Sequence, residues 1–192
     1  MMTNEEYKSR TARSYKLLLI FAMISMTMMF AGLTSALVVS KSRPDWLTNF
    51  EMPISFFFSL IFILACSVTI HLAKKSIQKD NRKATTIFLL TTLALGLAFV
   101  YSQLQGFNQL FDSHLYPTGG SGSITISFLY VLVYVHLAHL SGGIISLLII
   151  IYNHFKQKYN SSQFLGIELG AMYWHFLDFL WIYLFLFLYF FK

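Results

Sequence analysis

Long apolar runs separated by short polar intervals fill almost the whole chain. Five runs approach or exceed the ~20 helical residues needed to cross a bilayer core: Leu17–Val39, Pro53–Ala73, Thr85–Leu104, Ile124–Tyr152 and Leu169–Phe191. Strands of a membrane β-barrel would instead show segments of ~10 residues that alternate in hydrophobicity. The pattern predicts an all-α polytopic membrane protein with five transmembrane helices. Residues 1–16 form a tail, and residues 17–192 a single five-helix membrane domain. The first run has 23 residues, longer than a secretory h-region, and no A-x-A site follows it, so it is read as an uncleaved span.

The polar intervals carry the connections. Lys41–Met52 holds Pro44 and Asn49 and reads as a turn region. Lys74–Lys83 is a charged loop. Asn108–Ser123 contains Pro117, Gly119, Gly120 and Gly122, a loop of special backbone angles. Asn153–Glu168 is polar, with Asn160, Ser161 and Ser162 at its centre. There is no internal repeat.

Composition agrees with the pattern. Of the 192 residues, 56% are hydrophobic and only 11% charged, against ~25% in soluble domains, so a water-facing surface could not be built. The single cysteine, Cys66, excludes an intrachain disulfide and reads as a small buried hydrophobe.

The net charge of +6 reflects membrane orientation, and no nucleic-acid partner is expected. Lys8, Arg10, Arg13 and Lys16 lie in the tail. Lys74, Lys75, Lys79, Arg82 and Lys83 lie in the second interval, and Lys156 and Lys158 in the fourth. The opposite side has only Lys41, Arg43 and Lys192. The positive-inside bias places the N-terminus in the cytoplasm and the C-terminus outside.

Ionisable groups within spans are costly and demand a partner or a purpose. His136 and His139 share one helix face in the fourth run, as do His175 and Asp178 in the fifth. Rise along the two antiparallel helices puts Asp178 within about 5 Å of the depth of His139. Glu168 sits at the start of the fifth span, where the positive helix end favours a carboxylate. Three uses compete for this set: interhelical hydrogen bonds that fix packing, a metal site, or a proton relay. No H-E-x-x-H zinc helix is present. Gly142 and Gly143, with Ser141 and Ser146, form a small-residue patch that permits close helix approach. Gln103 and Gln105 end the third run, as interfacial groups or interhelical contacts. Tyr173, Trp174 and Trp181 read as aromatic filling and interfacial anchoring, and His71, His114 and His154 as solvated groups at span ends or in loops.

Gly166–Phe191 resembles the C-terminal helix of subunit III of the haem–copper oxidases, whose run is close to G-x-E-x-x-x-W-Y-W-H-F-V-D-x-V-W. Glu168, Tyr173, Trp174, His175, Phe176, Asp178 and Trp181 match, and Met172 replaces an aromatic. The family's H-x-x-H-V-x-x-G corresponds to His136, His139 and Gly143, and its L-G-x-x-F-x-x-x-Q to Leu95, Gly96, Phe99 and Gln103. The chain is similar to the short, five-span form. Met26 stands where the family often has a membrane glutamate, and Gly106 where it has a second.

The resemblance implies a non-redox accessory subunit of an aa3-type cytochrome c oxidase in a bacterial cytoplasmic (inner) membrane. Electron transfer to O2 in such a complex is coupled to proton pumping. The chain would stabilise catalytic subunit I, bind phospholipids and adjoin subunit II, in a complex able to join a supercomplex with a quinol:cytochrome c reductase. Haem a and copper would lie in the partner subunits, with no catalytic or metal-ligating residue here. His136, His139, Glu168, His175 and Asp178 would form a structural polar cluster, with His139 the partner of His175 and Asp178 across the groove. Gly96, Gln103, Gly143, Tyr173, Trp174 and Trp181 would serve packing. The absence of a Cys-x-x-x-Cys copper site and the scarcity of histidines set the chain apart from subunits II and I. Subunit III of a quinol oxidase is the alternative within the family. An independent membrane metalloenzyme or transporter is the alternative of another class.

Overall fold

A computed structural model describes residues 4–47, 52–117, 123–161 and 163–191. Asn49, Gly119, Gly120, Gly122, Ser162 and Lys192, all used in the sequence reading, lie outside the described residues. Five helices follow in order: α1 Asn4–Val39, α2 Ile54–Gln78, α3 Arg82–Asp112, α4 Ile124–Phe155 and α5 Leu165–Phe191. All five are long and apolar enough to cross a membrane, and the chain is a multi-pass membrane protein.

Each helix runs past its apolar stretch into the polar flank. α1 reaches back to Asn4, because nothing between Asn4 and Leu17 breaks a helix: neither Pro nor Gly occurs there. The second interval is helical except at residues 79–81. Asp80 takes the left-handed φ of 57°, and the Asn81 side chain accepts a hydrogen bond from the Ala84 amide at 3.2 Å to cap α3. This tight hairpin makes α2 and α3 the most extensively packed pair.

At the other membrane face, a short 3-10 turn, Ser40–Ser42, ends α1. Arg43 then turns extended (φ −76°, ψ 146°), as a residue before proline must. Its guanidinium bonds Asp45 at 2.9 Å and holds that carboxyl below its ordinary pKa. The Asp45 carbonyl accepts from Ser123 Oγ at 2.9 Å, and the Leu47 amide donates to Thr125 Oγ1 at 3.0 Å. Those two bonds tie the chain between α1 and α2 to the start of α4, where Ser123 also caps the helix.

α5 packs against α1, α2 and α4. Its buried side holds Trp174, Leu177, Asp178, Trp181, Leu184 and Leu188. Phe56 of α2 and Phe99 of α3 meet Trp181 edge-on at 6.1 and 5.3 Å between ring centres. The outermost helix, α1, is fastened to α5 at two heights, by Lys16 Nζ to Glu168 at 2.8 Å and by Thr34 Oγ1 to Tyr183 Oη at 3.0 Å.

Candidate functional site: the polar groups of α4 and α5

Small residues let α5 sit close to its neighbours. A side chain at Gly96 would bring its Cβ to 3.0 Å from Trp174 Cη2, and one at Gly143 to 2.9 Å from Leu177 Cδ1 and 3.8 Å from Trp174 Cε2. The indole of Trp174 is thus boxed by α3 on one side and α4 on the other, and its residue is fully buried. Tyr173, one residue earlier, reaches α4 and donates its hydroxyl to the His139 carbonyl at 3.0 Å.

The five polar residues expected as one cluster are distributed over separate groups. His136 is fully buried between Phe99 and Trp181, at ring-centre distances of 5.9 and 5.1 Å, and neither ring nitrogen has a hydrogen-bond partner among the described residues. His139 points elsewhere. Its Nδ1 lies 2.7 Å from the Val135 carbonyl, and its ring packs on Phe30 of α1 at 5.8 Å. His139 is therefore not the partner of His175 or Asp178, although Tyr173 confirms that α5 lies alongside it. Residues three apart on a helix differ by about 60° in direction, enough to send the two imidazoles to different neighbours.

His175 shares a 2.7 Å hydrogen bond with Ser67 of α2 through Nδ1, and the same nitrogen is 4.0 Å from Asp178 Oδ2. Asp178 itself is 2% exposed. Ser67, His175 and Asp178 superficially compose a nucleophile relay. That chemistry needs the hydroxyl and the carboxylate on opposite nitrogens of the imidazole, whereas here both face Nδ1. At the start of α5, Glu168 bridges Lys16 of α1 and Lys74 of α2, at 2.8 and 3.6 Å.

Gln103 is fully buried, which removes the interfacial reading, and its amide has no hydrogen-bond partner among the described residues. His154, expected to be solvated, is 5% exposed and bonds Thr86 Oγ1 at 2.9 Å. His71 faces outward beside His175, with ring centres 6.2 Å apart. Among the described residues there is no group of three or more His, Cys, Asp or Glu side chains able to hold a metal ion.

Sequence reasoning missed Ser67, Lys16 and Lys74 as partners. The available signal was Ser67 and His71, four apart on one face of an apolar run, with Lys74 three residues further on.

The family model for cytochrome c oxidase subunit III matches residues 7–192. Cytochrome c oxidase subunit 3 of Thermostichus vulcanus is 31% identical over 180 residues, covering 90% of this chain and 84% of its own. The protein of the same name from Alkalihalophilus pseudofirmus is 30% identical over 129 residues, 67% of this chain and 62% of the relative. That of Petromyzon marinus is 29% identical over 143 residues, 74% of this chain and 51% of the relative. Against the last two, the chain spans only about half to three-fifths of the relatives' length.

Proposed function

The chain belongs to the cytochrome c oxidase subunit III family, and from that premise we propose that it is the non-redox accessory subunit of an aa3-type cytochrome c oxidase. Its task is to brace the membrane part of catalytic subunit I within a complex that passes electrons to O2 and pumps protons. Haem a and copper belong to partner subunits I and II. Phospholipids fill the outer faces of the bundle, and a supercomplex with a quinol:cytochrome c reductase fits the same role.

The single observation that carries the reading is the use made of the polar residues of α4 and α5. Tyr173 bonds the His139 backbone, His175 bonds Ser67, and Glu168 clamps two lysines. Each contact fixes one helix against another, as a bracing subunit requires. Interhelical hydrogen bonds in membranes contribute only ~0.6–2 kcal/mol each, so their value lies in setting orientation.

In this reading the bundle of residues 17–192 lies in a bacterial cytoplasmic membrane with the N-terminus inside. The lysines and arginines at the amino end of α1, around residues 79–81 and between α4 and α5 support that orientation. Ser9→Cys would then be labelled by an impermeant maleimide only from the cytoplasmic side, and Ser42→Cys only from the outer side.

Purification through a tag on this chain in mild detergent tests the assignment. The expected result is co-purification of polypeptides carrying haem a and copper, with a copper centre in subunit II marking cytochrome c as the electron donor. Haem without that centre would make the complex a quinol oxidase. Recovery of the chain without any haem protein would refute the assignment.

A further inference from the structure

Three motif residues that the bracing role leaves unused converge between α3, α4 and α5. Gln103, His136 and Trp181 are all fully buried. The imidazole of His136 and the indole of Trp181 lie 5.1 Å apart between ring centres, and the Phe99 ring is 5.9 and 5.3 Å from them. Gln103 is one turn beyond Phe99 on the same buried face of α3. Gly106, three residues further on, faces Phe56, whose ring also meets Trp181 at 6.1 Å. Gln103 thus sits between two positions of α3 that both border the surroundings of Trp181.

The polar atoms of these side chains are Nε2 and Oε1 of Gln103, both ring nitrogens of His136 and Nε1 of Trp181, and none has a hydrogen-bond partner among the described residues. Buried polar groups in folded proteins are almost always bonded, and leaving one unbonded is costly. The phenyl rings of Phe99 and Phe56 that border the set offer no partner. Asp178, three residues before Trp181, turns instead toward His175, which is bonded to Ser67 of α2. Acyl chains have no hydrogen-bonding group to give.

The set suits one class of ligand. Gln103 carries two amide N–H donors and a carbonyl acceptor, a neutral imidazole one donor and one acceptor, and Trp181 one donor. An ion buried here would need a counter-charge, and no carboxylate or cationic side chain is bonded to the set. A small neutral molecule that both donates and accepts meets all three side chains. We propose that Gln103, His136 and Trp181 form an internal water-binding site that joins α3, α4 and α5. A buried water makes about three hydrogen bonds, which gives one to each helix. This explains why an amide and an imidazole stand inside an apolar core without touching a polar neighbour of their own.

X-ray hydroxyl-radical footprinting of the protein, purified in mild detergent with its native partners, tests the site. Radicals arise where water is irradiated, so a fully buried side chain is oxidised only if water is held beside it. The expected result is oxidation of Trp181 at a dose that also oxidises the exposed Phe179. Gln103→Leu combined with His136→Leu should lower Trp181 oxidation several-fold. Trp174, fully buried against Gly96 and Gly143, should keep its parent level in the same variant. Melting temperatures give a second readout. The double variant should melt no lower than the worse of the two single variants, since removing both groups bonded to one water leaves fewer unbonded atoms than removing one. An unmodified Trp181 beside an oxidised Phe179, oxidation unchanged in the double variant, or strictly additive melting shifts would overturn the site.

Discussion

The Tyr173 hydroxyl donates to the backbone carbonyl of His139 at 3.0 Å, so α5 grips the main chain of α4 beside the imidazole and leaves the ring free to pack on Phe30. Tyr173→Phe keeps the ring and removes one interhelical bond. The expected loss of bundle stability is ~0.6–1.7 kcal/mol, read from denaturant unfolding in bicelles. A loss well above 2 kcal/mol would mean that the hydroxyl holds more than this one carbonyl.

A methyl group at position 96 would meet the ring of the fully buried Trp174 at 3.0 Å, tighter than ordinary van der Waals contact. Gly96→Ala should therefore cost ~1–3 kcal/mol through overpacking. Gly32 has nothing within 4 Å of its would-be Cβ, so Gly32→Ala should be neutral or stabilising by up to ~1 kcal/mol from helix propensity. Thermal shift of the two variants in one detergent checks the contrast, and equal shifts would remove the role given to the tight contact.

Glu168 holds two lysines, but its side chain is 24% exposed, so each ion pair sits in a well-screened setting. Glu168→Gln should destabilise by no more than ~1 kcal/mol, and raising salt should shrink the difference from the parent protein. A double-mutant cycle with Lys16→Met should return a coupling energy within the same range.

Cys66 is fully buried and its Sγ points at the Thr92 carbonyl, 3.7 Å away. The native bundle should resist maleimide for as long as it stays folded, and react only after unfolding in dodecyl sulfate. Rapid labelling of the folded protein would show that α2 and α3 separate there.

The spans were legible because lipid imposes a single requirement, about twenty apolar residues with every backbone polar group bonded within the helix. The helix ends were not, since polar flanks such as the tail before Leu17 can stay helical once the apolar segment has nucleated them. At the polar groups, sequence identified the right residues on α4 and α5 but not their partners. His175 meets Ser67 because of how α2 is rotated about its axis, and neither composition nor depth specifies that rotation. The same angular freedom separates His136, enclosed by Phe99 and Trp181, from His139 three residues on.

α1 is continuous from Asn4 to Val39, yet its ties to α5 are at Lys16 and Thr34. The twelve residues before Lys16 form a helical arm ~18 Å long. A change of about 10° in the tilt of α1 would sweep its tip sideways by ~3 Å. Lys8, Arg10 and Arg13 ride on that arm, so a small tilt inside the bilayer becomes a displacement of positive charge over the membrane surface.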